Sequence, residues 1–205
     1  MTCVSSDQSK PKSAAATRQA MLEAAHARFV QESYENVGLR DIAGDVGVDV
    51  ALVSRYFGNK EELFRAVLGM GRKEKILPPE LPNSEVPSYL ARLFVEKGQG
   101  QEPNEHVERL LILLRSASSP VASQIVREAF REDVLLPLTE KLGGSGAELR
   151  ASTSMAVWMG MAIMRIVMSI EPLCSRDCDI QERMRLLFEA ALAEMPPRCD
   201  GGKTD

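Results

Sequence analysis

Residues 39–64 read LRDIAGDVGVDVALVSRYFGNKEELF, and within them a helical hydrophobic pattern stops at Gly47 and restarts within three residues. Leu39, Ile42, Ala43 and Val46 fall at i, i+3, i+4 and i+7, the spacing of one helix face. Gly47 then ends the pattern, and a residue without Cβ suits a left-handed cap. Asp49 can cap the next start, its carboxylate accepting from free N–H groups of the first turn. Leu52, Val53, Tyr56 and Phe57 recur at helical spacing after it. The stretch predicts two short helices around a tight turn. With Leu52, Val53 and Phe57 inward, Val50, Ala51, Ser54 and Arg55 face outward.

Working outward, a helix is expected over 14–32, where Leu22, Ala25, His26 and Phe29 share a face that Met21 and Val30 broaden. SYEN (33–36) reads as a short loop. Asn59 with Glu62 three residues on has the form of a capping box and opens a fourth helix at Lys60. Beyond it ILPPELPNSEVP, residues 76–87, holds four prolines, which lack the amide donor a helix interior needs. The expected organisation is a disordered arm at 1–13, a helix-turn-helix domain with its connecting helix at 14–75, and a Pro-rich linker at 76–87. A helical domain at 88–197 and a flexible tail at 198–205 complete it. Helical stretches are expected near 85–98, 104–117, 120–141, 147–170 and 179–195, with Ser119–Pro120 as a cap followed by proline and Pro137 as a kink or end. Nothing alternates like a strand for long, so the fold class is all-α.

With 44% hydrophobic and 26% charged residues, the chain can bury a core like an ordinary globular protein. The longest strongly apolar run, MAVWMGMAIMRIVMSI (155–170), has 16 residues and contains Arg165, short for a bilayer span. The N-terminus carries no apolar core with a cleavage site, so the expected location is cytoplasmic, without membrane partners. Net charge is −4, but it is unevenly placed: residues 1–75 hold 11 Lys and Arg against 10 Asp and Glu, leaving the acidic excess to the remainder. Lys10, Lys12 and Arg18 near the first helix, with Arg40, Arg55 and Lys60 around the turn, allow a local basic face.

A helix pair joined by a Gly turn and buttressed by a preceding helix describes a helix-turn-helix, whose second helix fits the DNA major groove. Arg55 can take guanine bidentately, Ser54 can hydrogen-bond several bases, and Val50 or Ala51 can touch a thymine methyl. Tyr56 and Lys60 suit phosphate, Lys60 at a helix N-terminus that already favours an anion. The alternative is a protein-interaction module built on the same helix pair, which Val50 and Ala51 would also suit.

The stretch MLEAAHARFVQESYENVGLRDIAGDVGVDVALVSRYFGNKEELF (21–64) closely resembles the DNA-binding region of the tetracycline-repressor (TetR) family of bacterial transcriptional regulators. Its specific elements are LRDIA, the GV of the turn, LVSRYF and NKEELF, in that order and spacing. The resemblance implies a homodimeric repressor on a palindromic operator, released when a small molecule enters the C-terminal domain. It also implies that Thr17, Arg40, Ser54, Tyr56 and Lys60 lie near phosphate or bases. Two positions depart from the pattern. Ser33 replaces a common glycine, at a cost of about 1 kcal/mol if the site is left-handed, and Gly38 replaces a common Ser or Thr cap. RSASSPVASQIVREAFREDVLLPLTEKLGG (115–144), the apolar helix and EPL resemble one branch of the same family.

The stretch 147–170 is apolar nearly all round and must be covered on several sides. In the family the last two long helices form the dimer interface, which implicates Ile163, Ile166, Val167, Met184, Leu187, Phe188 and Ala191. One face can line an effector pocket through Met155, Trp158, Met159 and Arg165, the methionines being adaptable, although Met at this spacing also serves as plain core. Arg165 reads as an ion pair or a snorkelled side chain, or as the partner of an anionic effector. Cys174 and Cys178, spaced C-x₃-C beside Asp177 and Asp179, read as loop cysteines, a thiol switch or part of a metal site. His26 and His106 give no catalytic dyad. No G-x-S-x-G, Walker, dinucleotide or H-E-x-x-H motif is present, so neither enzyme activity nor a cofactor or metal is expected.

Overall fold

The computed structural model describes residues 14–70, 77–97, 105–174 and 178–194, and among these every regular element is helical. The arm before Ala14, the tail after Glu194, and the side chains of His106, Cys174 and Cys178 lie outside the described residues. No helix among the described residues is long and apolar enough to cross a membrane. The chain divides into two compact units, one taking the residues up to Met70 with Leu111–Val126, the other Gly71–Leu110 with the residues from Arg127 on.

The first unit comprises α1 (Ala14–Gln31), α2 (Leu39–Val46), α3 (Val50–Phe57) and α4 (Lys60–Leu68), with the end of α6 (Glu105–Ser116) and the start of α7 (Pro120–Phe130). Met21, Leu22, Ala25 and Phe29 form the buried stripe of α1. At the centre Phe29 meets Phe64 edge-on with centroids 4.8 Å apart, and Tyr34 meets Phe64 likewise at 5.0 Å. Such aromatic pairs add about 0.5–1.5 kcal/mol each beyond their burial. SYEN is more ordered than a loop: Tyr34–Asn36 forms a 3₁₀ turn because Tyr34 must turn its ring into this core. Ser33 sits at φ −68°, ψ 153°, an extended conformation, so the left-handed penalty does not arise. Arg28 grips Asp45 with two hydrogen bonds of 2.5 and 2.9 Å, tying α1 to α2.

The second unit is built on α5 (Val86–Lys97), α8 (Leu136–Leu142), α9 (Ala147–Ala162), α10 (Glu171–Cys174) and α11 (Cys178–Leu192). Leu90 and Phe94 of α5, Leu138 of α8, Ala151 and Met155 of α9, and Met184, Phe188 and Leu192 of α11 form one core. Leu77, within the proline-rich stretch, is buried in the same core. Arg150 fastens the end of α11, donating to the carbonyl of Leu192 at 3.1 Å and to that of Gly143.

Both long helices expected here are interrupted by a π-helical turn, Arg131–Leu135 and Ile163–Val167. Pro137 has no N–H to offer the carbonyl four residues back, and the widened turn lies directly before its helix, with Leu136 donating to Arg131. At the second turn Met168 donates to Ile163 at 3.1 Å and Ile170 to Met164 at 3.1 Å. Ser169, at φ +50°, closes the helix in the left-handed region, so regular helix does not reach residue 170. The expected separator Glu171–Cys174 is itself one helical turn.

Candidate DNA interface

The turn between α2 and α3 rests on three local features. Gly47 takes φ 72°, ψ 39°, donating to Gly44 at 3.2 Å, while Val48 donates to Ala43 at 2.9 Å; this pair of bonds is a Schellman cap. Asp49 Oδ1 accepts from the Ala51 N–H at 2.7 Å and starts α3. Asn59 Oδ1 accepts from Glu62 N–H at 2.8 Å and starts α4. The start of α2 has no side chain at Gly38, yet the Asp41 carboxylate accepts from the Gly38 N–H at 3.1 Å, supplying the return half of a capping box.

Rigid ends fix how α3 is presented. Val53 and Phe57 are buried and Leu52 is half-buried, which leaves Ala51, Ser54 and Arg55 exposed on the opposite side, with Val50 half-buried at its margin. Arg40 is exposed at the start of α2, Thr17 is half-buried in the first turn of α1, and Tyr56 is half-buried with its ring 6.4 Å from that of Phe57. Lys60 opens α4, but its ammonium lies 4.2 Å from the centroid of the Tyr34 ring. Burial lowers its pKa, opposed by the nearby Glu35 carboxylate. Arg18, exposed on α1, stacks its guanidinium over Phe57 at 5.0 Å, so α1 steadies the far end of α3. Arg28 does not add to a basic face: the hydrogen-bonded Asp45 carboxylate raises its pKa and is itself held below the usual carboxylate range. The cations left to a nucleic acid on the helix pair are Arg40 and Arg55, one on each helix.

Residues 21–67 match the family model described as bacterial regulatory proteins, tetR family, and residues 85–187 match the tetracyclin repressor-like C-terminal domain, half of the chain by itself. The chain belongs to the TetR family of transcriptional regulators. Among solved structures, GusR of Salmonella enterica is 14% identical with a TM-score of 0.69, covering 90% of this chain and 99% of GusR. NalD of Pseudomonas aeruginosa, described as the secondary repressor of the MexAB-OprM multidrug efflux pump, is 21% identical with a TM-score of 0.62, covering 84% of this chain and 95% of NalD. A SmeT–triclosan complex is 21% identical with a TM-score of 0.63, covering 86% of this chain and 90% of SmeT. At these identities the likeness is one of fold. No curated protein sequence matches the chain. Members of this family are DNA-binding regulators rather than enzymes.

Within this TetR-family chain the residues expected to line a pocket or an interface are placed unevenly. Met155 and Arg165 are buried, and Trp158 and Met159 are half-buried against the second unit's core. Arg165 does not snorkel: 6% exposed, it donates from Nη1 to the Phe94 carbonyl at 3.1 Å. Two shallow grooves between α5 and α11, about 160 and 330 Å³, are lined by Ser88, Gln181, Arg92, Arg185 and their neighbours, and by none of the four expected pocket residues. Of the expected interface residues, Met184 and Phe188 are fully buried in their own unit's core and present no surface to a second copy. Leu187 and Val167 are exposed, and Ile163, Ile166 and Ala191 are half-buried. Met168, within the apolar stretch 147–170, and Leu186, which hydrophobic periodicity did not single out, are exposed as well, at 57% and 50%. No group of three or more potential metal-ligating side chains occurs among the described residues.

The segment Leu111–Val126 is the part of the first unit that pattern reading missed. Ile112, Ala122 and Ile125 are buried, Arg115 donates to the carbonyl of Gln31 at the end of α1, and Ser119 Oγ donates to Glu35 at 2.5 Å. Ser119 also accepts from the Ala122 N–H at 3.3 Å, which makes it the cap expected before Pro120. No local signal reveals a contact between residues 84 positions apart.

Proposed function

We propose that this regulator represses transcription as a homodimer on a palindromic operator and is released by a small hydrophobic effector. The observation that carries the DNA half is the split of α3, with Val53 and Phe57 held in the core while Ala51, Ser54 and Arg55 stand exposed together. Arg55 and Ser54 read bases, Val50 and Ala51 contact thymine methyls, and Thr17, Arg40 and Tyr56 hold phosphates. Lys60, already engaged by the Tyr34 ring, contributes less, chiefly through the α4 N-terminus it opens. Residues 14–75 form the DNA-binding part and 88–197 the effector and dimerisation part, acting in the cytoplasm where the operator is.

The second copy covers the exposed apolar residues Val167 and Leu187, with Leu186 and Met168 beside them and Ile163, Ile166 and Ala191 at the margin. Met184 and Phe188 hold α11 from within. The effector enters the Met155, Trp158, Met159 and Arg165 region; SmeT with triclosan and EbrR with proflavin, both of this fold, support a small-molecule ligand.

The test is to bind the purified protein to fragmented DNA from its source at moderate salt and sequence what is retained. The expected result is a palindromic site whose binding weakens steeply as salt rises, because phosphate contacts release counterions. Retention without sequence enrichment, or binding indifferent to salt, overturns the reading.

A further inference from the structure

We infer that the two copies of the homodimer cross at Gly160, the outward face of α9 from Leu149 to Met164 lying against its counterpart; this rests on the homodimer reading above and gives it a centre. Leu149, Thr153, Ala156, Gly160 and Met164 are the exposed residues between positions 149 and 164, and they follow one another at steps of three or four, which is one face of a helix. Val167, 48% exposed, continues it. The face is about 22 Å long at 1.5 Å per residue, and no side chain on it is charged. Neighbouring helices differ, for α5 exposes Arg92, α8 Glu140 and α11 Glu189. A helix without charge on its outer side is one that is covered, and here the cover lies outside the single chain.

Charge says what covers it. In a contact between identical patches a residue on the two-fold axis meets itself, so a charged residue there would face its like. The α9 face offers none, which suits a second copy of this chain; a nucleic acid or a charged peptide would find nothing on it to pair with. Leu149 and Met164, 62% and 39% exposed, supply apolar surface on either side of the small residues. Gly160 sets the centre. It lies inside α9, where glycine is less favourable than alanine because it loses more backbone freedom on folding. Nothing in its own chain asks for it: a Cβ built there meets no neighbouring atom within 4 Å. What glycine provides on an exposed helix face is close approach of another backbone, and Ala156, one turn earlier, keeps the path low. Axes of packed helices lie about 8 to 10 Å apart according to the side chains at the contact, and small ones give the shorter distance.

The test measures the monomer–dimer equilibrium of the full-length protein by sedimentation equilibrium, without DNA. Gly160→Leu is expected to raise the dimer dissociation constant at least about tenfold with far-UV circular dichroism unchanged, since within one chain the new side chain enters open space. Gly160→Ala separates the interface from the helix. Alanine favours α9 in each monomer, so a glycine of no consequence to the dimer gives an equal or tighter dimer, whereas a crossing at Gly160 gives a weaker one. If Gly160→Leu loses helicity, Gly160→Ala decides alone. A dissociation constant that Gly160→Leu leaves unaltered, or that Gly160→Ala leaves equal or lowers, overturns the inference and leaves the homodimer reading standing. An unaltered protein that sediments as a monomer at every concentration removes that reading and the crossing with it, and assigns the face to a different partner.

Discussion

The first unit keeps its ion pairs on the surface and stacks three aromatic rings at its centre, whereas the second buries a guanidinium beside a ring and surrounds it with methionines. The contrast is one of stiffness. A recognition helix has to hold base-reading side chains to within a fraction of an ångström, and Phe29, Tyr34 and Phe64 are stiff residues that lock α1 and α4 behind it. The methionines of the second unit's core have three rotatable bonds and no branch, so they can repack where the rings of the first unit cannot. Order in this molecule is concentrated in the aromatic core behind α3, and adaptability in the methionine-bearing core of the second unit.

Phe64→Ala should destabilise the first unit by about 3–5 kcal/mol, because a rigid ring leaves a cavity its neighbours cannot fill. Met155→Leu in the second should cost less than about 1.5 kcal/mol. Urea unfolding followed by circular dichroism checks both, and similar losses at the two positions would erase the distinction. Next in size, Arg55→Ala should weaken operator binding by about 1–3 kcal/mol, roughly tenfold to a hundredfold, with the melting temperature unchanged because the side chain is exposed. Fluorescence anisotropy on the selected operator measures it; a drop in melting temperature of the same variant would mean that reading and folding are not separate in this unit.

Gly47→Ala places a Cβ on a backbone at φ 72° and should cost about 1–2 kcal/mol, although no atom lies near enough to clash. Thermal unfolding that is unaffected would show that the turn relaxes, contrary to the rigidity argued for the head. The smallest effect is the surface pair between α1 and α2. The Asp45 carboxyl is held below its ordinary value by the Arg28 hydrogen bonds, so the folded state binds fewer protons than the unfolded chain in that range. Its stabilisation is complete above the ordinary carboxylate pKa of about 4 and is lost as pH falls through the lowered folded value. Asp45→Asn should flatten the melting temperature across that acid window and leave its dependence near neutrality unaltered.

The head was legible because its signals are local. Gly47, Asp49 and Asn59 each act within three or four residues of themselves: Gly47 and Asp49 make the caps expected of them, and Asn59 accepts from the Glu62 N–H, the forward half of the box its spacing implies. Even there a reciprocal partner escaped: Gly38 has no side chain, and the acceptor for its N–H comes from Asp41, one turn inside the helix. The second unit was legible as helices but not as faces. Apolar residues ring α9 and α11 so fully that spacing does not say which side turns inward, and Met184 and Phe188 went to the core while Leu186 and Leu187 stayed exposed.

Sequence alone was enough for the helix-turn-helix, its register and an outward set of Val50, Ala51, Ser54 and Arg55, of which only Val50 is half-buried rather than exposed, since caps and a 3.6-residue period need no distant partner. The tertiary structure alone decided that Leu111–Val126 joins the first unit and that Arg165 lies against Phe94. It also decided which apolar faces of the second unit remain open. These depend on contacts between residues far apart in the chain, such as the 71 positions separating Arg165 from Phe94, and only the closed fold brings them within reach.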